Sequence, residues 1–269
     1  MAEKLGIIAG NGKFPLILAR NAASRGLEVV AVALNEETEP DIEKVASKVY
    51  WLSFTQLGKL IKTFKSEGVT KAVMAGQVIK RRMYTSEILK LDLTAAKLWA
   101  GLPNRRGDTI LAAVADELEK NGIELLDSTT YMDDYLALKG VLTRRKPTDA
   151  QAADVQFGYE MAKVIAEHDI GQSVVVKDLS VVAVEAVEGT DNCIKRAGEL
   201  GREGIVVVKV SKKGHDMRFD VPVVGMRTLE TLKASKVAVL AVEAGKTLML
   251  EKDEFLSGAD AAGICVVGV

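Results

Sequence analysis

The run Leu5-Gly6-Ile7-Ile8-Ala9 passes directly into Gly10-Asn11-Gly12, and Pro15 then opens a helical pattern that lasts to Ala23. A short apolar run, stopped by glycines and turned into a helix, reads as a strand–turn–helix unit. The pattern recurs. Strands are expected over Glu28–Leu34, Val49–Ser53, Lys71–Val78 and Ile123–Leu126, with helices over Gln56–Glu67, Leu89–Trp99 and Thr109–Asn121. In the last helix Ile110, Leu111, Val114 and Leu118 share a stripe, and Asp108 is placed to cap it. Strands that alternate with helices imply a mainly parallel sheet. We therefore expect an α/β fold whose N-terminal part is Rossmann-like.

Residues 131–147 differ from what precedes them, being polar, carrying Arg144-Arg145-Lys146 and ending in Pro147. They are expected to link an N-terminal domain, 1–130, to a C-terminal α/β domain, 148–269. Thr148-Asp149-Ala150-Gln151 resembles a capping box and should open a helix to about His168. Beyond it, strands are expected over Val174–Lys177, Val181–Ala186, Ile205–Val210, Val237–Val242, Thr247–Leu250 and Ile264–Val267. Helices are expected over Thr190–Leu200, Thr228–Ala234 and Asp253–Ala262.

Composition narrows the function classes. Aromatics are only 5% of a chain that is 48% hydrophobic, as suits aliphatic strands covered on both faces. With 36 basic against 37 acidic residues the net charge is −1, which argues against a nucleic-acid partner. Cys193 and Cys265 form no CxxC pair, so a disulfide framework is not expected and a reducing, cytoplasmic setting fits. No apolar stretch reaches the roughly 18 residues of a membrane span. His168 and His215 are the only histidines, too few for a histidine metal cluster or a serine triad, so any metal should be oxygen-ligated magnesium or manganese.

Five segments could carry chemistry. Gly10-Asn11-Gly12 opens a helix where backbone N–H groups suit a phosphate. It is equally compatible with a plain tight turn, because Pro15 stands where a dinucleotide fingerprint has its third glycine. Gly76-Gln77 leaves a strand and precedes Lys80-Arg81-Arg82, a set suited to a uridine edge or to phosphates, or else a solvated basic loop. Arg105-Arg106-Gly107-Asp108 offers phosphate-gripping arginines, or only a helix cap. Glu185 and Glu243 each end an apolar strand, where sites in open sheets lie, and Thr190-Asp191 follows the first of them. In Asp216-Met217-Arg218-Phe219-Asp220, an extended backbone would put Asp216, Arg218 and Asp220 on one face. Two carboxylates around a guanidinium suit a divalent ion beside a phosphate; the same pattern also describes an amphipathic edge strand.

Taken in order, these stretches resemble the UDP-2,3-diacylglucosamine pyrophosphatases of the LpxI type. The resemblance rests on Leu5–Gly12 with Pro15, Ala75–Val78, Gly107-Asp108, Ala183–Ala186 with Glu188–Asp191, Arg218–Pro222 with Gly225, and Val242–Gly245. It implies a hydrolase of lipid A biosynthesis that cuts UDP-2,3-diacylglucosamine into UMP and 2,3-diacylglucosamine 1-phosphate, lipid X. It further implies two domains, a divalent cation (Mg2+ or Mn2+), a homodimer, and peripheral contact with a membrane that holds the lipid.

By its Arg-x-Asp-x-Pro pattern the family's essential aspartate falls on Asp220. Asp216 and Arg218 are expected beside it as catalytic groups, with Asp220, Glu185, Asp191 and Glu243 as metal ligands. Gly10, Asn11, Gly12, Gly76, Gln77, Asp108 and Thr190 are expected to bind substrate. Two other readings stay open on the residues alone: a nicotinamide-dependent oxidoreductase, and a non-catalytic nucleotide or lipid binder.

Overall fold

The structure, a computed structural model, describes residues 3–78, 90–212, 216–219 and 221–269. It divides the chain into two compact units. The first comprises Met1–Met132 with Asp216–Asp220, and the second comprises Asp133–His215 with Val221–Val269.

The first unit is built on five parallel strands in the order β3-β2-β1-β4-β5. These are β1 (Lys4–Ala9), β2 (Glu28–Leu34), β3 (Lys48–Leu52), β4 (Lys71–Ala75) and β5 (Glu124–Leu125). Helix α1 (Phe14–Ser24) packs on β1 and β2. The opposite face carries α2 (Leu57–Glu67), α3 (Leu93–Gly101) and α4 (Gly107–Lys120). Val30, Val32, Leu60, Phe64, Ala115 and Leu118 fill that layer. Each fully buried Val, Leu or Phe side chain of this kind contributes roughly 1.5–3 kcal/mol, and an Ala methyl less. The chain goes from β1 through α1 to β2 on one side, then crosses through α2 to β4 on the other. The strand order therefore reverses between β1 and β4, the place where open α/β sheets bind ligands.

In the second unit β6 (Gly140–Val141) is an edge strand, and α5 (Asp149–Glu167) follows it. The remaining strands are β7 (Ser173–Lys177), β8 (Ser180–Val184), β9 (Val206–Lys209), β10 (Val223–Val224), β11 (Val239–Val242), β12 (Leu248–Met249) and β13 (Cys265–Gly268). The six-stranded sheet has the order β6-β13-β11-β9-β7-β8, while β10 and β12 pair separately. Its centre, β9-β11-β13, is parallel; β7 runs against β9, and β8 against β7. The carboxyl ends of β8, β9 and β11 consequently share one edge with the start of β7.

Period-two alternation sorts the strand side chains. Val174, Val176, Val206 and Val208 pack with α5 on one face. Val175, Val207 and Leu240 pack on the other with α6 (Thr190–Gly201), α7 (Met226–Ala234) and α8 (Lys252–Ala261). Gly158 lets α5 sit close: a Cβ there would lie 2.6 Å from the Val208 Cγ2.

The α/β expectation holds in both units. The capping box also forms as expected, with Thr148 and Gln151 each accepting the other's backbone N–H. Three expectations need correction. The 131–147 stretch is not a free linker, because β6 pairs with β13 and the Ala137 N–H donates to the Thr247 carbonyl. The 148–269 part does not form one body, since Asp216–Asp220 groups with the first unit. Nor is 216–219 extended: it is a turn, in which the Phe219 N–H donates to the Asp216 carbonyl. The Asp216 carboxylate accepts from the Arg218 N–H at 3.1 Å, the local bond by which aspartate turns a backbone that alternation alone would leave extended.

Candidate functional site

The first unit gathers its glycines at the β1–β4 switch point. The Gly10 N–H donates to the Ala75 carbonyl at 2.8 Å, and the Asn11 N–H to the Gln77 carbonyl at 2.7 Å. Gln77 donates back to the Asn11 carbonyl. Side chains are excluded from this crossing. A Cβ on Gly10 would stand 2.6 Å from the Gln77 carbonyl oxygen, and one on Gly76 would stand 2.5 Å from that of Asn11. Gly76 also adopts φ +87, as Gly12 adopts φ +88. Asn11 and Gln77 are exposed at the bridge, and the Asn11 amide donates to the Glu37 carbonyl. Helix α1 starts just beyond with no side-chain cap and Pro15 in its first turn, leaving its first N–H groups for a ligand. Five of the predicted substrate residues, Gly10, Asn11, Gly12, Gly76 and Gln77, are thus brought together.

Arg218 belongs to the same edge. The buried Ser128 hydroxyl lies 2.8 Å from the Met74 carbonyl of β4 and 2.7 Å from the Arg218 carbonyl. The Ser128 N–H holds the Met217 carbonyl, and Phe219 packs into the first unit's core. Ser128 thereby pins the 216–219 turn beside the end of β4, a role with no sequence signal because it depends on contacts about ninety residues away. The Arg218 guanidinium is forked onto the Asp216 carboxylate, with Nε at 2.9 Å from Oδ1 and Nη2 at 2.7 Å from Oδ2. Its Nη1 holds Glu119 Oε1 at 2.6 Å. Asp216 is therefore the partner that orients Arg218. Asp108 lies in the first turn of α4, one residue inside the helix and not at its cap. Asp220, His215 and Lys80-Arg81-Arg82 fall outside the described residues.

In the second unit the predicted acids sit at the shared sheet edge, but each is engaged. Glu243 is buried and accepts from Lys163 Nζ at 2.6 Å, Lys246 Nζ at 2.9 Å, and the Ser211 N–H and hydroxyl at 2.8 and 2.7 Å. Burial by itself would raise its pKa; the lysine and serine hydrogen bonds outweigh that and hold it at about 2. Asp191 pairs with Arg227 at 2.8 Å. Glu185 accepts from the Thr190 hydroxyl at 3.0 Å and from the Gln172 N–H.

No group of three or more metal-ligating side chains forms among the described residues. Glu243, neutralised by two ammonium groups, is a poor ligand for a cation, and Asp191 is held by a guanidinium. The described acids thus do not by themselves fit a magnesium or manganese site. Cys193 is no nucleophile, since burial pushes its thiol up to about 12. One residue that the sequence reading passed over is Lys209, buried at the end of β9 with Nζ 2.8 Å from the Thr190 hydroxyl. Its signal was present as a lone cation inside the apolar run Ile205–Val210.

Comparison with known proteins places this architecture. The LpxI N-terminal domain model matches residues 4–135 and the LpxI C-terminal domain model matches residues 138–267. The chain belongs to the LpxI family. A curated relative, the UDP-2,3-diacylglucosamine pyrophosphatase LpxI of Caulobacter vibrioides, is 29% identical over 99% of this chain and 98% of its own. Among solved structures, the biotin carboxylase domain of the Hydrogenobacter thermophilus 2-oxoglutarate carboxylase is similar at TM-score 0.28 and 13% identity, over 79% of this chain and 44% of that one. An N5-carboxyaminoimidazole ribonucleotide synthetase in its ADP complex is similar at TM-score 0.30 and 15% identity, over 73% and 44%. Likeness at that level carries no argument, and the family assignment rests on the two LpxI domain models.

Proposed function

We propose that this LpxI-family chain hydrolyses UDP-2,3-diacylglucosamine to UMP and lipid X in lipid A biosynthesis. The observation that carries the reading is the match, over 99% of this chain and 98% of the relative, to a protein bearing that activity's name. The local chemistry agrees. The glycine crossing leaves backbone N–H groups and an uncapped helix start at a ligand-binding switch point, where a diphosphate is well received. Arg218 is pinned at the same edge and would exchange its Glu119 contact for a phosphate oxygen. In the reaction, water adds to one phosphorus of the diphosphate and the bridging P–O bond breaks. The residues on this chain orient the diphosphate and offset the charge that develops on its oxygens.

The described acids furnish no ligand set for a divalent cation, on which the family resemblance implies a dependence. The dependence is read directly by running the reaction with magnesium, manganese or chelator. A homodimer, residence in the cytoplasm and peripheral membrane contact belong to the same proposal. None of the described helices is long and apolar enough to cross a membrane.

The deciding experiment incubates purified protein with UDP-2,3-diacylglucosamine and identifies products by mass. UMP and lipid X should appear together. Substitution of Asp220 by Ala should lower the rate by about 100-fold or more, the usual cost of losing one group that acts in the transition state. Full activity of that variant would remove Asp220 from the mechanism. Tight UMP binding without turnover by the unaltered chain would overturn the enzymatic reading in favour of a binding protein.

A further inference from the structure

Lys209 is buried, only 7% exposed, on a strand whose neighbours are valines. An ammonium group in such a place carries a heavy desolvation penalty unless a counter-charge meets it. Among the described residues it meets only a hydroxyl. Nζ donates to Thr190 Oγ1, and Thr190 in turn donates to Glu185 Oε1, so the hydroxyl stands between cation and carboxylate. Lys209 forms no ion pair among the described residues, and two of its three protons have no protein acceptor there.

A second observation points the same way. Thr190 is the first residue of α6, a twelve-residue helix whose N-cap is Gly189 and has no side-chain cap. The N–H groups of its first turn add positive potential beside the ammonium. Asp191, which could have cancelled it, is turned to Arg227. Ser173, opposite Lys209 in the β7–β9 register, adds a hydroxyl 3.5 Å from Thr190 Oγ1. The cluster lies at the carboxyl ends of β8 and β9.

We infer that Lys209, with the Thr190 hydroxyl and the start of α6, forms an anion subsite of the second unit that takes a phosphoryl group. Thr190 orients the ammonium, and Glu185 holds Thr190. On this account Glu185 is a positioning residue and not a metal ligand.

The test uses full-length protein, with inorganic pyrophosphate as the probe, at fixed ionic strength set with chloride. Pyrophosphate should raise the melting temperature of the unaltered chain, and Lys209→Met should reduce that rise. Without ligand the variant should melt no lower than the parent, because replacing an under-compensated buried charge with an apolar side chain is neutral or stabilising. A merely structural lysine would instead lower the melting temperature and leave pyrophosphate binding alone.

If Lys209→Met fails to fold, Thr190→Val decides. It removes the acceptor that aims Nζ, and pyrophosphate affinity should drop by about tenfold or more, the loss of one charge-assisted contact. Unchanged pyrophosphate binding in whichever variant folds overturns the subsite. The two readings fail separately: a parent chain that binds pyrophosphate through Lys209 yet leaves the diacyl substrate intact loses only the proposed function, whereas unchanged pyrophosphate binding by a variant of a chain that hydrolyses the substrate loses only the subsite.

Discussion

Substitution of Gly76 by Ala should destabilise the first unit by about 3 kcal/mol or more and suppress hydrolysis, whereas Gly12→Ala should cost only about 1 kcal/mol. Both glycines hold positive φ, +87 and +88, so both substitutions carry the left-handed penalty of roughly 1–2 kcal/mol. The difference lies in the surroundings. A Cβ on Gly12 meets nothing within 4 Å. One on Gly76 meets the Asn11 carbonyl oxygen at 2.5 Å, the Gly10 carbonyl carbon at 2.9 Å and the Asn11 nitrogen at 3.1 Å. All three are backbone atoms, and the Asn11–Gln77 bridge and the β1–β4 ladder hold them in place. Relief therefore requires opening the bridge, which displaces the N–H groups assigned to the diphosphate. Denaturant midpoints of the two variants check the ranking. Equal losses would show that strain at φ alone governs the corner and that the close crossing does not.

Glu243→Gln should lower stability by about 3 kcal/mol, near the bottom of the 3–5 kcal/mol range for breaking a buried ion pair. The lower end applies because the Lys163 and Lys246 side chains, 24% and 46% exposed, can regain water. The amide keeps the shape but removes the charge that both ammonium groups share, and it places an N–H donor against the Ser211 N–H or Lys163.

The pH dependence has a definite sign. The folded pKa is depressed, from 4.5 in the free side chain to about 2, so the carboxylate's contribution is complete above about pH 4.5 and is lost as pH falls toward 2. The parent should therefore lose stability across that window, and Glu243→Gln should show a flatter acid limb. Denaturant titrations at pH 7 and pH 3 measure both effects. A variant with full stability at pH 7 and an unchanged acid limb would refute the network's role. Glu243 also fixes Ser211, so its loss should loosen the chain at Ser211.

Much of the fold could be read from the chain because it is encoded locally. The first three strands, α1, α2 and the capped start of α5 emerge within one or two residues of their expected bounds. Each depends on periodicity, a glycine or a cap within a few positions. The two-residue strands β6 and β10 did not emerge, because they exist only by pairing with β13 and β12. The candidate site divides along the same line. Gly10–Gly12 and Gly76-Gln77 stood out because strand-ending glycines are visible one segment at a time, while their meeting required β1 and β4 to become neighbours. Glu243, at a strand end, and Asp191, in the first turn of α6, were read as metal ligands because an acid in such a place looks the same whether or not a lysine or arginine lies across from it.

Alternation, caps and glycine turns therefore determined the α/β class and most elements, since these are properties of contiguous residues. Tertiary structure alone decided where the Arg218 turn belongs. Its alternation favoured a strand within the C-terminal half, yet Ser128, Glu119 and the core around Phe219 hold it in the first unit. It likewise decided that the lone cation in Ile205–Val210 would be a buried ammonium against Thr190. In both cases the outcome depends on partners distant in sequence, whose charge and hydrogen-bonding capacity act only once the sheets have formed.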